Sequence, residues 1–85
     1  MFEIILSSNA EKFYKSSDIK LAKRLNDAFD SLSIEPYNQK NIKKLKGKLS
    51  GCYRYRLGNY RIVYSVENDI NIVSIVWIGA REEAY

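Results

Sequence analysis

Residues 52–66 restrict what this chain can fold into more than any other stretch. Cys52-Tyr53-Arg54-Tyr55-Arg56-Leu57 alternates strictly. Gly58-Asn59 then supplies a two-residue turn tolerant of positive φ, and Tyr60-Arg61-Ile62-Val63-Tyr64-Ser65-Val66 follows with the same period of two. This is the pattern of a β-hairpin. If Leu57 and Tyr60 flank the turn, Arg56 faces Arg61, Tyr55 faces Ile62, Arg54 faces Val63 and Tyr53 faces Tyr64. The register sorts the side chains into two faces, because neighbours along a strand point to opposite sides. Tyr53, Tyr55, Leu57, Tyr60, Ile62 and Tyr64 make an aromatic and aliphatic face, and Arg54, Arg56 and Arg61 share the other. Directly opposed like charges cost stability, so Arg56 facing Arg61 is not a folding device.

The greasy face needs a cover, and the N-terminal half supplies it. Residues 2–6 read as a short first strand. Ser8-Asn9-Ala10-Glu11 has the form of a capping box, with Phe13 and Tyr14 at helical spacing behind it. Ile19, Ala22, Leu25, Phe29 and Leu32 recur every three or four residues, the stripe of an amphipathic helix that ends before Pro36. Residues 37–51 read as a basic loop. Asn68-Asp69 reads as the next turn, and residues 70–78, apolar on both parities, as a strand covered on both faces. That turn would put Val73, Ile75 and Trp77 on the helix side. The expected fold is α+β, in the order β-α-α-β-β-β, with two helices packed on one face of a largely antiparallel four-stranded sheet.

Composition narrows the chemistry. Eighty-five residues make a single domain, 1–85. One cysteine allows no internal disulfide, and with no histidine there is neither a zinc site of the usual kind nor any Ser-His-Asp or Cys-His catalysis. No metal and no cofactor are expected. The start lacks a basic lead-in and no apolar run approaches a bilayer span, so the expected location is the cytoplasm, away from any membrane. Fourteen basic against ten acidic residues leave a net charge of +4. Between Glu35 and Glu67 there is no acid at all, yet eight cations: Lys40, Lys43, Lys44, Lys46, Lys48, Arg54, Arg56 and Arg61. Such a block draws polyanions, and planar guanidiniums on a rigid sheet match phosphate oxygens. Lys43, Lys44, Lys46 and Lys48 read as the rim of that phosphate-binding surface. Cys52, with no base or partner thiol, reads as a small half-buried hydrophobe. Tyr37 and Tyr85 are the tyrosines left free to stack.

The runs Lys44-Leu45-Lys46-Gly47, Gly51-Cys52-Tyr53-Arg54-Tyr55-Arg56-Leu57, Gly58-Asn59-Tyr60-Arg61-Ile62-Val63-Tyr64 and Ile78-Gly79-Ala80-Arg81-Glu82-Glu83-Ala84-Tyr85 resemble the RelE/ParE superfamily of bacterial toxins of type II toxin-antitoxin systems. The resemblance implies a RelE-like, ribosome-dependent and metal-independent endoribonuclease. It would cut mRNA in the decoding site by attack of a ribose 2′-OH on the adjacent phosphate. The implied catalytic set falls on Arg54, Arg56, Arg61, Arg81 and Tyr85, and the implied partners are a cognate antitoxin protein, the ribosome and mRNA. The family pattern has lysines where this chain has Arg54 and Arg56, and arginine is a poor base. Two further readings stand beside it: a ParE-like inhibitor that poisons DNA gyrase by binding, and a non-catalytic nucleic-acid-binding module.

Overall fold

The computed structural model describes residues 1–83. The elements are β1 (Glu3–Leu6), α1 (Ser8–Lys15), α2 (Ile19–Ile34), β2 (Ile42–Lys44), β3 (Cys52–Leu57), β4 (Tyr60–Glu67) and β5 (Ile72–Ala80), with one-turn 3-10 segments at Gly47–Leu49, Asn68–Ile70 and Arg81–Glu83. The strands form one sheet in the order β1-β5-β4-β3-β2; β1 runs parallel to β5 and every other pairing is antiparallel. The α+β class and the two-helix layer agree with the sequence. The strand count does not, because Ile42–Lys44 pairs with β3 as a fifth strand where a loop was expected. Three residues of edge strand, two of them lysines, carry too little alternation to be read as a strand. Among the described residues no helix is long and apolar enough to cross a membrane.

Both helices start on side-chain caps. The Ser7 hydroxyl accepts the Ala10 N–H (3.1 Å), so the cap is Ser7 and not Ser8, and the Asp18 carboxylate accepts the Leu21 N–H (2.8 Å). Helix α2 stops where Pro36 forces the preceding residue out of helical geometry; Glu35 is extended, with φ −142°. The chain leaving α2 is then tied down. Glu35 Oε2 accepts the Tyr37 and Asn38 N–H groups at 2.8 Å each, which holds its carboxyl below the ordinary value. Gln39 Nε2 donates back to the Ser31 and Glu35 carbonyls. This clasp delivers Lys40–Lys44 to the sheet edge.

The core lies between the helices and one sheet face: Ala10, Leu25, Ala28, Phe29 and Leu32 meet Tyr55, Ile62, Tyr64, Val73, Ile75 and Ile78. Each fully buried Leu or Ile contributes about 1.5–3 kcal/mol. Tyr64 is fully buried and donates its hydroxyl to the Pro36 carbonyl (2.8 Å), which joins the hairpin to the end of α2. Its ring stacks on Tyr53 (5.7 Å between centroids), and Tyr53 meets Tyr37 edge-on at 5.6 Å. Tyr37 also meets Phe2 edge-on, so it belongs to the aromatic cluster at the core's margin and is not free to stack on a ligand.

The hairpin register is the one the alternation predicts, from Leu57↔Tyr60 through Tyr53↔Tyr64. The next turn is not. A 3-10 turn with Asn71 in the left-handed region (φ 54°) replaces the two-residue turn, and β4 and β5 pair from Glu67↔Ile72. A bulge then intervenes: Tyr64 pairs with Ile75 but Val63 pairs with Trp77, leaving Val76 unpaired. An extra residue inverts parity downstream. Val73 and Ile75 therefore face the helices as expected, Ile78 joins them, and Trp77 lies on the opposite, helix-free face. The Ser7 hydroxyl that caps α1 donates to the Val76 carbonyl (2.8 Å), closing the bulge. On the open face the Trp77 indole covers Gly79, where a Cβ would fall into the ring at Cζ2 and Cη2.

Two measurements check this packing. Gly79→Ala should lower unfolding stability by about 1–3 kcal/mol, the usual cost of overpacking, with a clear non-additive recovery when combined with Trp77→Ala in urea titrations. Tyr64→Phe strands the Pro36 carbonyl and should cost about 1–3 kcal/mol near neutrality. Burial, then Tyr53, Tyr55, Glu35 and Tyr37, push the Tyr64 phenol above its ordinary value of 10.0. The folded chain thus holds this proton longer than the unfolded chain. Its stabilising contribution is complete below pH about 10 and drains away as pH rises further, so the gap between wild type and Tyr64→Phe should narrow in that alkaline range.

Candidate nucleic-acid interface

The helix-free face carries the cations. Arg54 and Arg56 stand two apart on β3, and Arg61 on β4 is the Cα partner of Arg56. Gly58 makes this hairpin tight: its φ of 58° is the left-handed step the turn requires, and a Cβ there would sit 2.5 Å from the Arg24 Nη2 atom. Arg81 begins the 3-10 turn after β5, and its N–H donates to the Asn59 carbonyl (2.7 Å), so the end of β5 is fastened to the tip of the hairpin. Two strands and one turn thereby bring four guanidiniums to one region.

Arg61 is the centre of that region. It is only 8% exposed, and its Nη1 donates to the Gly58 (2.9 Å) and Tyr60 (2.8 Å) carbonyls. Burial and the fields of Arg54, Arg56 and Arg81 lower its pKa, in that order. Arginine starts so far above neutrality that the group remains a cation. Arg54 is half-buried, and its Nε–H has no acceptor among the described residues. The ion pair found among those residues, Lys15–Glu11 on α1 (3.1 Å), lies on a helix and not on this face. The described carboxylates leave the cluster uncompensated.

Beside it, at the sheet edge, a groove of about 200 Å³ is lined by Lys40, Asn41, Ile42, Lys43, Arg54 and Arg56. Lys43 is the Cα partner of Arg54 and shares its face. Lys44 pairs with Tyr53 and falls on the other parity, while Lys46 and Lys48 flank or occupy the Gly47–Leu49 turn, outside the groove. Of the four lysines expected at the rim, Lys43 is the one that lines it. Lys40 counts in the cation block but, like Asn41, is not placed at the site by the sequence; only recognition of β2 as a strand would have put them beside Arg56. Tyr85 lies outside the described residues. Cys52 is half-buried opposite Ser65, in line with its reading as a small hydrophobe. No three His, Cys, Asp or Glu side chains gather as a metal-ligand set among the described residues.

A family model described as the ParE toxin of the type II toxin-antitoxin system, parDE, matches residues 4–85. The chain belongs to this toxin family. Solved structures agree with it over almost the whole length. The archaeal RelE–RelB complex from Pyrococcus horikoshii OT3 contains a chain 27% identical, with a TM-score of 0.82 and 98% of each chain covered. The YoeB–YefM complex from Staphylococcus aureus contains one 26% identical, with a TM-score of 0.76, covering 92% of this chain and 94% of that one. The intact E. coli RelBE toxin-antitoxin complex, at 22% identity and a TM-score of 0.79, covers 94% and 96% and shares the fold. No curated protein matches the chain. The RelE/ParE resemblance of the C-terminal half thus holds for the molecule as a whole, and the protein is a type II toxin of that superfamily.

A guanidinium cluster that no described carboxylate compensates should take up oxyanions. At matched ionic strength, sulfate should raise the unfolding midpoint above that in chloride by a few degrees, about what 1 kcal/mol of linkage gives a domain of this size. Arg54→Ala and Arg61→Ala together should shrink the difference in a thermal melt to the general effect of an excluded salt. A sulfate effect of undiminished size in the double variant would show that the cluster is not its source.

Proposed function

We propose that this toxin is a RelE-like, ribosome-dependent endoribonuclease. The observation that carries the reading is the cluster of Arg54, Arg56, Arg61 and Arg81 on one rigid face, with Arg61 locked by its own turn. Binding alone would be served by exposed, mobile lysines. A buried, positioned guanidinium costs stability and suits the stabilisation of charge that develops in a transition state.

In the reaction the ribose 2′-OH loses its proton as its oxygen bonds to the adjacent phosphorus, and the bond from phosphorus to the 5′-oxygen breaks. The leaving oxygen takes up a proton, and the products are a 2′,3′-cyclic phosphate and a free 5′-hydroxyl. Arg61 and Arg54 hold the non-bridging oxygens. Arg56 or Arg81 stands at the leaving oxygen. Guanidiniums cannot serve as the base, and Tyr64 is turned into the core with its phenol pKa raised. The family resemblance assigns a role here to Tyr85, either as a stacking platform for the base or as a proton acceptor. A site this poor in bases fits an enzyme that acts inside the ribosome, where orientation of the mRNA supplies several kcal/mol.

The same reading gives the protein a cytoplasmic site of action and a cognate antitoxin, as the RelE and YoeB chains above have RelB and YefM beside them. A second reading is favoured by the family model itself, which is named for ParE: a gyrase inhibitor that works by binding. The arginine set is its discriminant, since an inhibitor that does no chemistry has no need for positioned guanidiniums.

Single-turnover assays on programmed ribosomes test the proposal. Wild type should cut mRNA there and leave free RNA intact. Arg61→Ala or Arg81→Ala should each slow the bound step about 10²-fold, the scale of losing one preorganised donor, with ribosome affinity nearly kept. Tyr85→Phe separates the two roles of Tyr85: retained cutting leaves stacking, and a large loss assigns the hydroxyl. Wild type that releases no cut RNA but blocks gyrase supercoiling would replace this reading by the second, and one that does neither would leave a nucleic-acid-binding module.

A further inference from the structure

The groove at the β2–β3 edge has its own chemistry. Four of its six described lining residues, Lys40, Lys43, Arg54 and Arg56, are cations, and none of the six is a carboxylate. Its floor is set by strand pairing: Lys43 is opposite Arg54, and the Arg56 N–H donates to the Asn41 carbonyl (3.0 Å). A ligand therefore meets a backbone that needs little ordering on binding, and the exposed Lys40 and Lys43 side chains are the part it must order. Arg54 lines this groove with a buried Nε–H that has no acceptor among the described residues. An anion that draws the guanidinium outward would satisfy a donor that is costly to leave unmet.

The groove is also distinct from the hairpin end of the face. Arg61 spends Nη1 on the Gly58 and Tyr60 carbonyls, and the main chain of Arg81 is fastened to Asn59, so both residues start from the hairpin end. Lys40 and Lys43 belong to the sheet edge, and Arg54 and Arg56 lie between. The face has two anion-binding poles joined by shared arginines, an arrangement matched by charges repeated along one flexible chain.

We propose that the β2–β3 groove is a second phosphate subsite, which holds the phosphodiester adjoining the scissile one in single-stranded RNA. This rests on the reading that the guanidinium face takes RNA. It makes Lys40 and Lys43 substrate-binding residues and lets Arg54 serve both poles.

The test pairs a change in the ligand with a change in the protein. Calorimetric titrations would compare an uncleavable 2′-O-methyl dinucleotide, with one phosphodiester, with the same molecule carrying an added 5′- or 3′-terminal phosphate. At low salt one added phosphate should tighten binding to wild type about tenfold and steepen the log–log salt dependence by about 0.7, the value for one phosphate contact on a single strand. In Lys40→Ala/Lys43→Ala both gains should vanish, and an unchanged circular dichroism spectrum and melting midpoint show that the variant is folded. Arg61→Ala should do the reverse, weakening the parent dinucleotide and keeping the gain. An equal gain in wild type and the lysine variant, or none in either, overturns the subsite. So does a lysine variant that loses affinity only for an acidic antitoxin segment, since the groove would then take carboxylates. Cleavage on ribosomes is scored separately: coupling without cutting leaves the subsite and removes the endonuclease, and cutting without coupling does the opposite.

Discussion

Everything on the functional face depends on the period of two in the β3–β4 hairpin. Side chains on adjacent positions of a strand cannot share a side, so the same pairing that buries Tyr55, Ile62 and Tyr64 must expel Arg54 and Arg56 to the other. Core and binding surface are two consequences of one register. A slip of one residue would put guanidiniums into the helix layer and tyrosines into water, and each error alone would unfold a domain this small. The tight turn at Gly58-Asn59 and the Tyr64 hydroxyl bond to Pro36 both hold that register, one from each end of the hairpin.

The cluster of like charges runs against folding and is tolerated because its surroundings share the cost. Arg56 opposite Arg61 adds repulsion, and burial of Arg61 adds desolvation. Two carbonyls at the hairpin tip solvate part of the Arg61 guanidinium, and the backbone bond from Arg81 to Asn59 keeps the main chain that carries a further cation close to the hairpin. What results is a field already assembled before any anion arrives, the condition under which fixed dipoles and charges act without reorganising.

How much of this could be read from the residues follows from how strongly each segment is phased. The hairpin alternates without a break around a turn that needs glycine, and its register and the face of Arg54, Arg56 and Arg61 were legible to the residue. Helix α2 was legible from its stripe of Ile19, Ala22, Leu25, Phe29 and Leu32. The run from Ile70 to Ile78 is apolar on both parities and carries no phase, so nothing in it announces the bulge at Val76 or the transfer of Trp77 to the open face. Strand β2 is three residues long and its lysines mask it as loop. Its absence from the reading hid Lys40 and Asn41, although Lys43 was among the residues expected to bind. The Ser7 cap is displaced by one position from the expected one because serines stand at both 7 and 8, and the bonds of the Ser7 hydroxyl with the Ala10 N–H and the Val76 carbonyl distinguish them.

The bulge has a practical consequence as well. By inverting parity after Ile75 it carries Trp77 to the same side of the sheet as the guanidiniums, with Gly79, the Cα partner of Arg61, beneath the indole. Trp77 is the sole tryptophan of the chain. Excited at the red edge, where the seven tyrosines scarcely absorb, the emission of the protein therefore originates from the sheet surface on which ligands are expected, giving the native molecule a built-in optical reporter that needs no label.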